Sequence, residues 1–269
     1  MSRKSNQSTT LLDICVLTAG RVDLFNKCID KILPMMKPEY SLYVFNNGSP
    51  SPEYAEAYKK IPDAKIKQTN QNIGYPAGAN TVIRMGNSPL ALFVSDDIYL
   101  DSTTIDTLLM RMDDPSIGIC GLKLIFPKDS TDPNRPAGKV QHVGHAINIG
   151  AQIVHPLIGW SPENPKCCVS RDVISVTGAC FIIRRKIYQL AGGFNESYGK
   201  GYFEDVDLCM TIKKLGHRVF IDTDATATHG VAETFKVRKD DPPPDLRHNY
   251  GIFQSRWGKY LQWTDYQFM

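Results

Sequence analysis

The sequence predicts an α/β fold with a mostly parallel central sheet and helices on both faces. Through the first 116 residues, compact apolar runs typical of buried strands alternate with segments whose apolar residues recur at helical spacing. This alternation is typical of parallel sheets, in which each strand is followed by a helix. After about residue 117 the runs become shorter, and loops rich in Pro, Gly, Asn and Asp separate them. We therefore expect a smaller β region in the second half of the chain.

The elements are predicted in the following order. In the first half, strands are expected at 11–17, 41–45, 64–68 and 90–94, and helices at 23–33, 54–60, 78–86 and 102–112. In the second half, β-like runs cover 117–125, 139–155 and 172–183. They are followed by helices at 186–190 and 205–215 and by a strand at 218–221. A strong turn signal, Asn-Asn-Gly-Ser-Pro, closes the second strand at 46–50.

The chain of 269 residues is long enough for one substantial core. We predict one domain over 11–240, with a nucleotide-binding half at 11–116 and an acceptor and catalytic half at 117–240. The polar residues 1–10 are expected to be disordered. Three prolines at 242–244 mark a break before a C-terminal tail, 241–269. The tail is predicted to be helical because aromatic residues recur in it at helical spacing: Tyr250, Phe253, Trp257, Tyr260 and Trp263.

Composition excludes several classes of protein. The net charge of +3 is too small to indicate a nucleic-acid partner. The seven cysteines form no CxxC pair, which favours buried free thiols over a disulfide framework or a zinc site. No run of 18 apolar residues occurs, and the first ten residues contain no signal peptide, so we expect a cytoplasmic protein.

The aromatic stripe of the tail leaves two interpretations open. Such a stripe packs most often on the core or on a partner subunit, so a homodimer is one expectation. The basic residues beside it also suit a helix that rests on an anionic membrane surface. These residues are Arg247, His248, Arg256 and Lys259.

Two acidic clusters carry the most chemical information. Glu204, Asp205 and Asp207 stand where a predicted helix begins, and Asp96 and Asp97 end a predicted strand. Acids at a helix start are favoured by the helix dipole, so Asp207 is expected to cap the helix. Carboxylates at the carboxyl end of a buried strand are hard ligands suited to Mg²⁺ or Mn²⁺. The two clusters together predict a metal and a base in one crevice.

Histidines are less informative in this sequence. His229 follows the last predicted strand, and an imidazole would suit Mn²⁺ better than Mg²⁺. His142, His145 and His155 alternate with apolar residues, and their spacing matches no zinc motif, so we interpret them as sheet and loop residues. The sequence also lacks the dinucleotide fingerprint, the P-loop and the GxSxG nucleophile motif.

Five segments, taken in order, resemble the family 2 glycosyltransferases with the GT-A fold, in particular their rhamnosyltransferase-like members. The segments are VLTAGRVDLFNKCI, VFNNGSP, NQNIGYPAGAN, FVSDDI, and the long run from VTGACFIIRRKIYQLAGGFNES through GYFEDVDLCMTIKKLG to ATATHG. The resemblance extends from about residue 11 to 230 and implies a metal-assisted, inverting transfer of sugar from a nucleotide-sugar donor. Its implied acceptor is a hydroxyl of a glycan or a lipid-linked glycan. Its implied role is in polysaccharide biosynthesis.

The resemblance also implies a role for each matching residue. Asp205 is the expected general base, and Glu204 would bind the acceptor or orient the loop of Asp205. Asp97 and His229 are the expected ligands of a divalent cation, Mn²⁺ or Mg²⁺, with Asp96 at the variable position before Asp97. The nucleotide or donor sugar would contact Thr18, Ala19, Arg21, Asn46, Asn72, Gly74, Asn80, Asp96, Gly178 and Ala179.

Two departures from the family pattern leave alternatives open. Asn46 stands where the family usually has Asp, so the base of the donor, UDP or dTDP, stays undetermined. The metal motif reads Ser-Asp-Asp, without its usual first carboxylate, so strict metal dependence is also open. A catalytically silent nucleotide-sugar or glycan-binding module is the main alternative. A sugar nucleotidyltransferase is the weaker one, since the loop after the first strand lacks a glycine-rich basic segment.

Overall fold

A computed structural model describes residues 11–48, 51–148, 152–230 and 244–261. The expectation of disorder at 1–10, the end of the turn at 49–50, the first two prolines of the tail and Trp263 lie outside the described residues. The division of the domain into two halves stays a prediction. Strands from both halves share one sheet.

The strands and helices of the described residues have the following bounds. The strands are β1 Leu12–Thr18, β2 Tyr40–Asn47, β3 Lys65–Thr69, β4 Leu90–Ser95, β5 Ile98–Leu100, β6 Ile117–Ile125, β7 Val140–His142, β8 Ala146–Ile147, β9 Ile153–Val154, β10 Arg171–Asp172, β11 Cys180–Arg184 and β12 Arg218–His229. The α-helices are α1 Val22–Ile32, α2 Pro52–Tyr58, α3 Tyr75–Arg84, α4 Thr104–Arg111, α5 Arg185–Leu190, α6 Glu204–Lys214 and α7 Leu246–Leu261.

The central sheet is mixed and confirms the predicted α/β class. Its strand order is β10-β12-β6-β11-β4-β1-β2-β3, with β5 paired to β12 and β7 to β6. The strands β4, β1, β2 and β3 run parallel, as the alternation with helices predicts. β11 enters antiparallel between β4 and β6, so the parallel arrangement does not continue across the whole sheet. This insertion places the start of β11 beside the end of β4.

The sheet buries side chains on both faces because successive strand residues point to opposite sides. In β1, Ile14 and Val16 pack with α1, α2 and α4, whereas Cys15 and Leu17 pack with α3, α5 and α6. Helices therefore cover both faces, as predicted. Six of the seven cysteines are buried, and Cys168 is exposed.

The last strand is much longer than the sequence predicts. β12 continues from the predicted 218–221 as far as His229. The pairing of β12 with β6 shifts register between Asp222 and Thr226, so the strand contains an irregularity there. Because the residues of this irregularity, Asp222 to Asp224, are mostly polar, the sequence did not predict that the strand continues beyond them. Asp222 is buried there and accepts hydrogen bonds from the side chain of Arg111 (2.7 Å) and from the backbone N–H of Asp224 (2.9 Å).

The C-terminal helix α7 packs on the core. Phe253, Trp257 and Leu261 are buried together with Val206 and Met210 of α6. Tyr250 and Tyr260 of the same stripe stay exposed. The expectation that this stripe packs on the core is thus correct for the buried face of the helix. Within the described part of the chain, no helix combines the length and the apolar character needed to span a membrane.

Candidate active site

The predicted acidic clusters lie at the carboxyl ends of the parallel strands. Thr18 at the end of β1 pairs with Asn46 of β2, and Leu17 pairs with Ser95 of β4, so the three strand ends lie side by side. In open α/β sheets a ligand binds beyond these ends. The loop after β4 then places Asp96 against the loop after β1.

Asp96 is tied to the first loop. Its Oδ2 accepts hydrogen bonds from Thr18 Oγ1 (2.7 Å) and from the backbone N–H of Ala19 (3.3 Å). Tyr54 of α2 supports the same loop, because its hydroxyl bonds Thr18 Oγ1 and accepts from the N–H of Gly20 (3.2 Å). Burial, and then the neighbouring carboxylate of Asp97, raise the pKa of Asp96 above its ordinary value. A buried pair of adjacent acids of this kind favours a cation.

Asp97 faces His229. The pairing of β5 with β12 brings Oδ2 of Asp97 to 3.4 Å from Nε2 of His229. Nδ1 of His229 lies 3.1 Å from Oε1 of Gln141, an oxygen that can only accept, so Nδ1 carries the proton and the lone pair of neutral His229 is on Nε2. Burial raises the pKa of Asp97. When Nε2 of His229 is also protonated, its charge and its hydrogen bond, together with a backbone hydrogen bond and the charge of Arg135, outweigh burial and lower the pKa of Asp97.

These residues fit a divalent cation. A carboxylate oxygen and an imidazole lone pair face each other, and the other imidazole nitrogen donates to Gln141, which is the usual arrangement around a metal-bound histidine. Oxygen and imidazole nitrogen together suit Mn²⁺. Asp97 and His229 would hold the ion. Asp96 directs one oxygen to the first loop, and its part in binding a metal stays a prediction. Sequence reasoning missed Gln141, since no motif marks it.

Asp205 is the second residue of α6 and lies against the start of β11. Its Oδ2 accepts from the backbone N–H of Gly178 (3.0 Å), and its Oδ1 accepts from the N–H of Val206 (2.8 Å). Burial raises the pKa of Asp205, although these two hydrogen bonds oppose the shift. Asp205 is partly exposed, whereas Glu204 beside it is buried. A partly exposed carboxylate with a raised pKa suits a general base.

Glu204 is a buried carboxylate. Its Oε2 is buried and has no hydrogen-bond partner among the described residues. Burial, followed by the neighbouring Asp205, raises the pKa of Glu204 well above its ordinary value. Its role with the acceptor or with the loop of Asp205 stays a prediction.

Gly178 and Ala179 connect the two acidic clusters. The N–H of Ser95, next to Asp96, donates to the carbonyl of Ala179 (2.9 Å), while the N–H of Gly178 binds Asp205. Tyr75 donates its hydroxyl to the carbonyl of Gly178 (2.6 Å). A Cβ on Gly178 would lie 2.7 Å from the Tyr75 hydroxyl oxygen, so this close approach requires glycine. The two acidic clusters, a hundred residues apart in sequence, are thereby brought together.

The glycine-bearing loop is held by a residue that the sequence did not single out. The side chain of Asn47 accepts from the N–H of Ile73 (2.9 Å) and donates to Asn72 Oδ1 (3.0 Å) and to the carbonyl of Gly74 (2.9 Å). Gly74 has φ +93°, and a Cβ there would lie 2.1 Å from the carbonyl oxygen of Gly199. Asn72 and Gly74 therefore shape the loop. Their contact with a nucleotide stays a prediction.

The other predicted donor-site residues have protein partners as well. Asn80 is buried and bonds the backbone of Phe194 through both its amide nitrogen (2.9 Å) and its amide oxygen (2.8 Å). It thus holds the loop before α6 rather than facing the strand ends. Asn46 donates to the Tyr58 hydroxyl (3.3 Å). Arg21 forms an ion pair with Asp23 (2.6 Å).

The structure corrects the expectation for Asp207. Asp207 does not cap α6, because the helix has no side-chain cap and begins after Phe203. Asp207 is instead buried and accepts from Arg256 Nε (2.9 Å) and from the indole N–H of Trp257 in α7. An acid in a first turn suits the helix dipole and a buried hydrogen-bond network equally well, so the sequence alone could not distinguish the two roles.

The turn before Glu204 is strained. Tyr202 and Phe203 both have φ +74°, the left-handed region that residues other than glycine rarely adopt. Such a conformation costs on the order of 1–3 kcal/mol per residue and persists only where neighbouring contacts fix it. Strain of this kind is concentrated at functional sites, which agrees with its position directly before the two carboxylates.

His142, His145 and His155 come together although they are separated in sequence. Their ligating atoms lie within 4.8 Å of one another. The N–H of Thr177 donates to Nε2 of His142 (3.1 Å), so the proton of neutral His142 is on Nδ1, which lies 3.0 Å from Nδ1 of His155. Nε2 of His155 lies 3.3 Å from Nε2 of His145, whose Nδ1 lies 2.7 Å from the Ser175 hydroxyl.

The three imidazoles form a chain of hydrogen bonds in which each ring donates to the next. Burial lowers the pKa of His145 and of His155 to about 4 and holds the pKa of His142 well below its ordinary value, so all three are neutral at ordinary pH. Because Nε2 of His142 accepts from the Thr177 N–H, a metal ion could bind only Nδ1 of His142. In the neutral ring, however, Nδ1 carries the proton and has no free lone pair. His155 also presents a different nitrogen to each neighbour. The cluster therefore supports the Thr177–Gly178 segment and does not have the geometry of a zinc tripod.

Comparison with solved structures gives the fold of the protein. A structure of GalNAc-T7 with UDP, GalNAc and Mn²⁺ superposes with a TM-score of 0.70 at 10% identity, over 94% of this chain and 50% of that one. A Pyrobaculum calidifontis mannosyltransferase in complex with GDP-Man and Mn²⁺ gives 0.59 at 13% identity, over 94% and 70%. The fold is therefore that of the GT-A glycosyltransferases, as predicted.

The sequence comparisons give the family. The model of glycosyl transferase family 2 matches residues 13–190, so the chain belongs to that family. The match ends before α6 and therefore does not include Asp205. The O-antigen biosynthesis protein RfbC of Myxococcus xanthus is 27% identical over 234 residues, 83% of this chain but 17% of that protein. The N-acetylglucosaminyl-diphospho-decaprenol L-rhamnosyltransferase of Mycobacterium tuberculosis H37Rv is 26% identical over 252 residues, 83% of this chain and 79% of that protein.

Proposed function

We propose that the chain is an inverting glycosyltransferase that moves a sugar from a nucleotide-linked donor to a hydroxyl of a glycan or lipid-linked acceptor. The observation that supports this proposal is the Gly178–Ala179 segment, whose backbone binds Asp205 on one side and Ser95, which precedes Asp96 and Asp97, on the other. One relative is named as a rhamnosyltransferase acting on a diphospho-decaprenol acceptor. We therefore favour dTDP-rhamnose as donor, with UDP-linked sugars as the second choice.

The residues of the site divide the reaction between them. Asp97 and His229 would hold a divalent ion, which, when bound, neutralises the charge on the departing diphosphate. The loops after β1 and β2, with Thr18, Ala19 and Asn46, would receive the nucleotide. Asp205 would remove the proton of the acceptor hydroxyl as its oxygen attacks the anomeric carbon from the face opposite the diphosphate. Because the leaving group is already activated, one carboxylate base suffices.

A graded set of variants tests the metal site. In calorimetry of UDP and dTDP with Mn²⁺, Gln141→Ala should weaken metal-dependent nucleotide binding about 10–100-fold, the usual effect of losing an outer partner of a ligating histidine. Asp97→Ala and His229→Ala should weaken it further. Asp113→Ala, which removes an exposed carboxylate, is the matched control and should bind normally. Unchanged binding in Asp97→Ala would remove Asp97 from the proposed metal site.

The transfer itself is tested with donors and an acceptor of defined chemistry. The protein, Mn²⁺ and a short-chain polyprenyl diphosphate bearing N-acetylglucosamine would be incubated with dTDP-rhamnose, UDP-glucose or GDP-mannose, and the product read by mass spectrometry. The proposal expects the mass of one added sugar with one of these donors. Nucleotide binding without transfer or donor hydrolysis would instead favour the catalytically silent module.

Two wider expectations also stay proposals. Peripheral membrane contact would involve the exposed side of α7, which carries Tyr250, Tyr260 and Lys259. A homodimer is the other. Sedimentation with anionic vesicles and analytical ultracentrifugation address the two separately.

A further inference from the structure

The C-terminal helix α7 makes polar contacts with the turn that precedes the carboxylate pair. The side-chain amide of Asn249 is buried and donates to the carbonyls of Tyr198 (3.0 Å), Gly201 (2.6 Å) and Tyr202 (3.3 Å). Three carbonyls of one short turn thus share the amide protons of one side chain. Because a buried carbonyl needs a donor, this side chain fixes the path of the backbone into α6.

Aromatic packing fixes the same turn from the side. The ring of Phe203, one of the two left-handed residues, stacks on Phe253 of α7 with centroids 5.3 Å apart. It also contacts the ring of Tyr250 at 5.9 Å. A strained backbone persists only where its surroundings over-determine it. Here the surroundings are residues of α7.

A third contact joins α7 to the first turn of α6. Asp207 stands two residues after Asp205 and accepts hydrogen bonds from Arg256 and Trp257. The opposite side of Asp205 is held by the N–H of Gly178. The carboxylate of Asp205 therefore lies between a sheet contact and a helix start whose position α7 determines.

We propose that α7 is a positioning element of the active site, in which Asn249 and Phe253 hold the strained turn 201–203 and Trp257 holds Asp207, so that Asp205 meets the acceptor hydroxyl. None of the three is a catalytic residue, since each acts through the backbone or through Asp207. This inference rests on the proposed function, because it assigns the tail a part in the same transfer reaction. The helix α7 lies outside residues 13–190, which the family model matches, so the family match does not indicate this role.

The test compares two variants of the full-length chain with a control on the same helix. Asn249→Ala removes the three carbonyl contacts, and Trp257→Phe keeps an aromatic ring but removes the N–H that binds Asp207. Gln254→Ala removes an amide whose hydrogen bond, among the residues that the structure describes, is to Tyr250 of α7 itself. We measure kcat for sugar transfer, the Kd of UDP and of dTDP with Mn²⁺, and amide hydrogen exchange at residues 198–207.

A misplaced general base lowers turnover without removing donor contacts, and a displacement of about 1 Å can cost as much as 10²-fold in rate. We expect Asn249→Ala to lower kcat about 10–100-fold, with Trp257→Phe between it and wild type, and the nucleotide Kd within about twofold of wild type. Exchange should rise at 198–207 in both variants and stay unchanged in Gln254→Ala.

Normal kcat in both variants would overturn the proposal, as would an equal loss of kcat and of nucleotide binding in variants that remain folded. If Asn249→Ala does not fold, Trp257→Phe alone decides the outcome. If the wild-type chain transfers no sugar from any donor tested, the proposed function fails. In that case the exchange data still decide whether α7 holds the turn, so the two failures are distinguishable.

Discussion

At the scale of single residues, Glu204 gives a prediction about pH. Burial raises its pKa in the folded protein above the value of about 4.3 typical of an unfolded chain. A carboxyl with a raised folded pKa destabilises the folded state as the pH rises above the unfolded pKa, and has no such effect below it. Glu204→Gln removes this titration. The melting temperature of the Glu204→Gln variant should therefore equal that of the wild-type protein near pH 4 and exceed it near pH 8.

The measurement is thermal unfolding of both proteins across this pH range. Glu56→Gln, at an exposed position of α2, is the matched control and should change the melting temperature near pH 8 much less than Glu204→Gln does. A Glu204→Gln variant that is less stable than wild type near pH 8 would contradict the assignment of a raised pKa.

The sequence identified the acidic residues of the site but not the residues that hold them. Asp97 and Asp205 stand out because acids end a buried strand and begin a helix. Gln141 and Asn47 act through contacts formed only in the folded chain. Gln141 belongs to no local pattern, and Asn47 stands in a turn signal that does not indicate its contacts with the loop at 72–74. The three histidines illustrate the same limit, since His142 meets His155 only after the chain between them folds back. Side-chain partners at long sequence separation leave no periodic signal.

At the scale of elements, β12 gives a prediction about stability. The irregularity at Asp222 directs the strand onward to His229, and Asp222 is fully buried while its partner Arg111 is partly exposed. Asp222→Ala should lower the free energy of unfolding by roughly 1.5–3 kcal/mol, the range for hydrogen bonds to charged groups. Urea unfolding measures this change.

The neighbouring Asp224 supplies the matched control, because it lies in the same irregularity but is exposed. Asp224→Ala should change stability by less than about 0.5 kcal/mol, as surface substitutions usually do. Equal losses in the two variants would show that the irregularity, and not the buried carboxylate, determines the stability of this segment.

The sequence predicted the strands and helices where apolar periodicity is regular. Strands β1, β2 and β4 fall within a few residues of their predicted positions, because they are fully buried apolar runs. The end of β12 was missed, since Asp222 and Asp224 resemble a turn. α3 begins at Tyr75 instead of 78. The prediction treated Gly74 and Pro76 as helix breakers, whereas here glycine stands at the N-cap and proline in the first turn, where proline is well tolerated. In β12, polar residues looked like a turn in the sequence, but pairing with β6 continues the strand beyond them.

At the scale of the whole molecule, the central claim is that residues 97, 205 and 229 serve one reaction. Asp97 follows the carboxyl end of β4, and the end of β12 places His229 beside it. The segment before antiparallel β11 places Gly178 beside Asp205. The alternation of elements predicted the α/β class. It did not predict the insertion of β11 between β4 and β6. The antiparallel partners of β4 and β11 lie about ninety residues apart, and no local sequence pattern indicates which distant strands pair.

The most direct test of this claim is the kinetics of Asp205→Asn beside its nucleotide affinity. Removing a general base should lower kcat for sugar transfer by about 10²–10⁴-fold. The Kd of the nucleoside diphosphate that binds, dTDP or UDP, measured with Mn²⁺, should stay within about twofold of wild type, since Asp97 and His229 are intact. This combination is the predicted result. A variant that transfers sugar at nearly the wild-type rate would contradict the account.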